Sequence, residues 1–423
     1  MEYRADRNFR WSPGNYRLNV IGSHDLGEIL HRETWDSSSY AAFVWARAML
    51  STRGLADLPT RSEWLSVNEK PEVTLMGLRR NRIAQAGGCL LSELPAISNE
   101  IASALRREAR KSTIEALNQA RIAARVQSSL SSSNIPCIFL KGIFQTLQMQ
   151  CDLGFRGSID LDILVAPEHF KESIECLQAE GAILNNQRVD PALSRKTSQI
   201  NHAISLSLDG VAIDLHQRLD PDPNLMNISF FDLFGAGCKV QVDQMEFITL
   251  SLQDTCVLVA SHGCRDNWRD FRSMIDFSIL YNLVGSSAIV ESRTLDLGVL
   301  RRIEIARAVT AELSSGLGSF DKRSMVFSYW TWRRHRKGKD LNNPRKISEF
   351  LTTFLYWILS AGDMGSLKFG IRRLIWLPSG TASSGLGGRF VILYPLLAPV
   401  KVIQRLWTRK RDAAVAAMDI ERR

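Results

Sequence analysis

The chain is 423 residues long, 45% hydrophobic and 23% charged, a composition that supplies a sizeable core and excludes a disordered or fibrous polypeptide. Its net charge of +9 is concentrated in one place, because residues 321–423 hold 20 Lys+Arg against 7 Asp+Glu and residues 1–320 are net negative. Seven cysteines, an odd number without paired spacing, argue for reduced thiols and a cytoplasmic setting rather than a disulfide framework.

The N-terminal stretch "MEYRADRNFRWSPGNYR" has no apolar core of the secretory kind, so no signal peptide is expected. Residues 24 to about 128 read as mainly helical. The clearest piece is residues 100–130, where Ile101, Leu105, Ile114, Leu117, Ile122 and Val126 recur at helical spacing between charges. "SSSNIP" ends that helix, and a short apolar strand, "CIFL" (137–140), runs into Lys141-Gly142 and a short helix. "DLDILV" (160–165) is a second strand. It is followed by a helix punctuated by Pro167 at its first turn and Gly181 at its end.

Next, "HAISLSLDGVAIDLHQRL" (202–219) holds two alternating runs around Asp209-Gly210, a strong hairpin signal. A two-residue turn sets Leu208 opposite Val211, Leu206 opposite Ile213 and Ser205 opposite Asp214. One face then carries Ile204, Leu206, Leu208, Val211, Ile213 and Leu215, and the other carries Asp214, His216 and Arg218. From about residue 247 the chain reads as helical again, through "FITLSLQDTCVLVASHG", "WRDFRSMIDFSILYNLV" and "ISEFLTTFLYWILSAG". "FVILYPLLAPVKVI" is apolar, but its prolines and lysine interrupt it, and spanning a bilayer takes about 20 apolar residues. The basic runs "WRRHRKGKD" and "RLWTRKR" suit either an anionic partner (nucleic acid or a membrane surface) or a solvated helix face. Cys256, His262 and Cys264 cluster, but their spacing matches no zinc pattern.

Three units follow from this reading: a mainly helical region over 1–128, an α/β core over 129–246 and a helical, basic domain over 247–423. Within the core, "RGSIDLDILV" (156–165) places two acids in a strand. Residues i and i+2 of a strand point the same way, so Asp160 and Asp162 project together while Ile159, Leu161, Ile163 and Val165 face the core. Adjacent carboxylates repel unless a cation or proton sits between them, and a hard divalent ion such as Mg²⁺ removes the repulsion. A third carboxylate from a neighbouring strand would complete a site for two ions, which is apparatus for in-line displacement at phosphorus. A lone D-x-D is also compatible with a surface strand or loop.

The combination of "FLKG" (139–142), "RGSIDLDILV" and "AIDLHQRL" (212–219) resembles the nucleotidyltransferase superfamily with a DNA polymerase β-type palm. It is more similar still to an uncharacterised bacterial family of nucleotidyltransferase-like proteins, whose "HG…W…D" segment matches "ASHGCRDNWRDFRSMIDFSILYNL" (260–283). The resemblance covers roughly residues 100–285. It implies an α/β fold, a small mixed sheet with helices packed on it. It also implies transfer of a nucleoside monophosphate from an NTP, ATP first among them, to an acceptor hydroxyl, with two Mg²⁺ (or Mn²⁺) ions bound. Asp160 and Asp162 would hold both ions. Asp214 would complete the catalytic ion and help deprotonate the attacking hydroxyl, and Lys141, Gly142 and Arg156 would hold the triphosphate. Many relatives have Gly-Ser where this chain has Lys141-Gly142, so phosphate contact passes to backbone N–H groups, Lys141 or Arg156.

His216 is read first as an orienter of Asp214 and second as a proton acceptor, and His202 as a core histidine. His262 and Trp268 are expected to pack the helical domain against the core. Outside the catalytic reading, Lys141 would be a surface lysine and Arg156 an ion-pair partner of Asp152 or Asp160. The acceptor is a small molecule, a peptide natural product or a glycan precursor on one reading, and a partner protein's hydroxyl, as in toxin–antitoxin AMP-transferases, on another. A non-enzymatic nucleotide- or partner-binding module is the third.

Overall fold

The computed structural model describes residues 35–184, 202–285, 287–314 and 320–336, with 358–361 and 368 beyond them. Among these residues the strands are β1 (Cys137–Phe139), β2 (Asp160–Val165), β3 (Ile183–Leu184), β4 (Ala203–Leu208), β5 (Val211–His216), β6 (Cys238–Val242) and β7 (Met245–Thr249). They form one mixed sheet in the order β3-β4-β5-β2-β1-β7-β6. β2 runs parallel to β5, and β1 parallel to β7; the other neighbours are antiparallel. The chain is therefore an α/β protein built on a mixed sheet, as expected, with flanking helices on both faces.

The expected hairpin is present with the expected register, Ser205 against Asp214, Leu206 against Ile213 and Leu208 against Val211. Asp209 and Gly210 both adopt positive φ, 49° and 78°, the backbone of a turn whose twist matches that of the strands it joins. A second hairpin, β6–β7, turns at Asp243-Gln244 and takes in "FIT" (247–249), which the sequence pattern places in the following helix. That helix begins only at Leu252, capped by the Ser251 hydroxyl.

The apolar faces of β2, β4 and β5 meet the Asn99–Ser132 helix. Leu161, Ile163, Val165, Leu206, Leu208, Ile213 and Leu215 share one core with Ile122, Val126 and Leu130. Within that helix Ile101, Leu105, Ile122 and Val126 are buried as expected, whereas Ile114 and Leu117 are exposed. In its middle the buried stripe runs through Ala109, Ser112, Ala116 and Ala120, because small residues there let the helix approach its neighbours closely. Ile159 is also corrected. It is 78% exposed, since β2 begins one residue later and the alternation does not reach back to it.

The sheet's other face is covered by helices from both ends of the chain. Trp35, Phe43 and Trp45 lie in the same core as Ile138, Leu140, Leu164, Trp268, Phe271 and Trp332. Phe43 meets Trp332 edge-on at 5.6 Å, and the Asp36 N–H donates to the Arg336 carbonyl at 2.7 Å. Early and late helices thus form a single layer over the face that carries the acids. All seven cysteines are unpaired. Among the described residues no single helix is long and apolar enough to cross a membrane. The segments 390–403 and 405–411, and all of 347–362 except 358–361, lie outside the described residues.

Candidate active site

Asp162 and Asp214 are register partners on the parallel pair β2–β5, one strand spacing apart, about 4.8 Å between backbones. Both turn away from the apolar face that carries Leu161, Ile163, Ile213 and Leu215, so the two carboxylates face each other's neighbourhood under the helical layer. Asp160 precedes Asp162 on the same side and is partly buried. The Ser158 hydroxyl lies 2.9 Å from the Asp160 carbonyl and 3.4 Å from its carboxylate. Asp214 accepts a hydrogen bond from the hydroxyl of Ser205, its partner on β4. The three acids named from sequence are brought onto one face of adjacent strands.

His216 differs from the expectation. Its Nε2 lies 2.8 Å from Asp162 Oδ1, so it is Asp162, not Asp214, that the ring meets. The reason is the direction of β5: His216 stands two residues beyond Asp214 on the same face, level with Leu164, and its ring reaches back along β2. The ring is buried, with His202 packed beside it at 5.3 Å between ring centroids. Lys141 is not a surface lysine. It follows β1, where the Leu140 N–H donates to the Asp162 carbonyl, and its Nζ sits 3.6 Å from Asp162 Oδ1 with the side chain 14% exposed. Gly142 takes a φ of +62° at the start of the Ile143–Gln148 helix, and an added Cβ there would press on the Ser158 hydroxyl at 3.2 Å.

Arg156 pairs with neither Asp152 nor Asp160. Its Nε donates to Asp276 Oδ2 at 2.7 Å, 120 residues away on the Phe271–Val284 helix, and both side chains are nearly buried. That contact ties the strand entering the site to the helical layer. The same layer brings cations that sequence reading passed over. Arg272 donates to the Gly157 carbonyl at 2.6 Å, and Arg265 ends the Leu252–Arg265 helix close to Lys141. Both lie in "HGCRDNWRDFR"; their charge is visible in the sequence, but the contacts their helices make are not. His262 is partly exposed, with its Nδ1 3.2 Å from Asp266 Oδ2, while Trp268 is fully buried against Gly263. Trp268 therefore packs as expected.

The electrostatics follow from this crowding. Burial and the charges of Asp162 and Asp214 push the Asp160 carboxyl up. Burial acts the same way on Asp162, but Lys141, the His216 hydrogen bond and Arg156 outweigh it and hold that carboxyl below the usual carboxylate range. Burial, reinforced by Arg265 and Arg156 and opposed by Asp162, lowers Lys141. Burial and the Arg156 guanidinium bring Arg272 down to about 9. Burial and the surrounding cations hold the His262 imidazole well below its ordinary value. Lys141 and His216 thus converge on Asp162, while the charges of Asp162 and Asp214 act on Asp160.

A model of a family described as an uncharacterised nucleotidyltransferase matches residues 70–314, more than half of the chain. The chain belongs to this family. No curated protein matches it. The matched span of this nucleotidyltransferase family member contains the whole sheet and every site residue named above, together with the Leu252–Arg265 and Phe271–Val284 helices that bring Arg265, Arg272 and Asp276. Its donor set suits a metal: one ligand atom from each of Asp162, Asp214 and His216 lies within 4.8 Å of the other two. Oxygen-rich donors of this kind fit a divalent cation.

Proposed function

We propose that the chain transfers a nucleoside monophosphate from an NTP, ATP foremost, to an acceptor hydroxyl, with pyrophosphate leaving. The reading rests above all on one observation: Asp162 and Asp214 stand in register on parallel strands, with the Lys141 ammonium 3.6 Å from the Asp162 carboxylate. Asp160, Asp162 and Asp214 would hold Mg²⁺ or Mn²⁺. When bound, such ions neutralise the converging oxygens of attacking and leaving groups. Lys141, Arg156 and the backbone at Gly142 bind and orient the triphosphate, joined by Arg265 and Arg272. The acceptor oxygen forms a bond to the α-phosphorus as the bond from that phosphorus to the bridging oxygen breaks. Asp214, held by Ser205, accepts the hydroxyl proton.

The acceptor class we favour is a small molecule, a peptide natural product or a glycan precursor. The test is incubation of the full chain with α-³²P-ATP, Mg²⁺ or Mn²⁺ and pooled acceptors of those classes. Label transfer with stoichiometric pyrophosphate is expected for the wild type and is lost in Asp162→Asn. Label transfer that survives that substitution at full rate, or is independent of added metal, overturns the reading.

A further inference from the structure

The three-donor group is not the one a set of acids alone would form. Asp160 lies outside it, and the buried imidazole of His216 lies inside it, with all three ligand atoms within 4.8 Å of one another. Two ligands across a single ion of the Mn²⁺ or Zn²⁺ kind stand at most roughly 4.4 Å apart, twice a bond of about 2.2 Å. The group is therefore within a small adjustment of closing on one ion. Asp162 Oδ1 is the meeting point: His216 Nε2 approaches it at 2.8 Å and Lys141 Nζ at 3.6 Å. The His216 side chain is 8% exposed, and among the described residues its Nδ1 has no hydrogen-bond partner, so no second hydrogen bond holds the ring in another orientation.

We propose that His216 is a metal ligand, through Nε2, of an ion shared with Asp162 and Asp214, and that it makes this position selective for Mn²⁺-like transition metals over Mg²⁺. The inference rests on the metal-dependent reading above and narrows it. Mg²⁺ takes oxygen donors and dehydrates reluctantly, whereas imidazole suits first-row transition metals. Asp160, outside the three-donor group, is left to meet the ion that arrives with the nucleotide.

The test uses the full chain without nucleotide, with Mn²⁺ alone as the probe. Pulsed EPR of the Mn²⁺-loaded wild type is expected to show coupling to a directly bound ¹⁴N, and this coupling is absent in His216→Gln. Titration is expected to give a Mn²⁺ affinity that falls at least about tenfold in His216→Gln. Mg²⁺ affinity, read by competition, should change less than about twofold, since its oxygen ligands remain. Three outcomes overturn the proposal: no bound nitrogen in the wild-type spectrum, no Mn²⁺ binding without nucleotide, or equal weakening of Mn²⁺ and Mg²⁺ by the substitution. The last would leave His216 as a positioning residue for Asp162. The wild-type spectrum decides the matter even where the variant folds poorly. Nucleotide turnover is not the readout, so these failures leave the transfer reading standing, and that reading falls only by the labelled-ATP assay.

Discussion

The sheet contains two hairpins of nearly equal length, and they have opposite fates. β4–β5 and β6–β7 each join two short alternating strands through two residues. β5 lies beside β2 inside the sheet, where His216 is buried and meets the buried Asp162 carboxylate, while the half-buried Asp214 bonds the Ser205 hydroxyl. β6 lies at the sheet edge, where Lys239 and Glu246 form a 2.8 Å ion pair at 68% and 59% exposure. An exposed pair is screened by water and contributes little, whereas a charge under a roof is costly unless paired. Position in the sheet, not strand chemistry, separates a candidate catalytic hairpin from a structural one.

Substitutions in the two hairpins and their surroundings would sharpen or break that contrast. The largest effect is expected at β5, where Asp214→Asn should lower nucleotidyl transfer at least about a thousandfold. The melting temperature should barely change, because among its described contacts the carboxylate bonds only the Ser205 hydroxyl; an unfolded variant would make Asp214 structural instead. Next is the tie between core and roof. Arg156→Met strands the 2% exposed Asp276 carboxylate without its cation, a loss of about 3–5 kcal/mol by denaturant titration. The double variant Arg156→Met/Asp276→Leu should recover most of it, and equal losses in single and double variants would show that the pair is not coupled. Leu206→Ala removes a fully buried side chain from the apolar face of β4 and should cost about 2–5 kcal/mol. Transfer per folded molecule should be unchanged. The smallest effect belongs to the edge: Lys239→Ala should stay within about 0.5 kcal/mol of wild type and leave transfer unaltered. A larger loss there would erase the distinction between the two hairpins.

The two hairpins also differ in how readily they could be read. Asp-Gly announces β4–β5, because both turn residues take positive φ and glycine does so at no steric cost. At Asp243-Gln244 only Asp243 goes left-handed, at 55°, and no glycine marks the place, so "FIT" reads as part of the helix after it. The Asn99–Ser132 helix was legible in extent and in the two ends of its buried stripe, but not in the middle. Its middle contacts are made through alanine and serine, which carry almost no hydropathy signal.

What the sequence by itself determined is local: the side of β2 on which Asp160 and Asp162 point, the β4–β5 register and the pairing of Asp214 with Ser205. Strand pleat and turn geometry dictate all three over a few residues. What only the tertiary structure decided is non-local. It set Asp162 level with Asp214 across a crossover of some fifty residues, gave Arg156 to Asp276 rather than to Asp152 or Asp160, and brought Arg272 onto the Gly157 carbonyl. It also turned the His216 ring toward Asp162. Those outcomes depend on which helix packs on which face. That choice is made by the summed burial of many apolar side chains, from Trp35 to Trp332 in a single core. The charged residues then take the partners that packing leaves within reach.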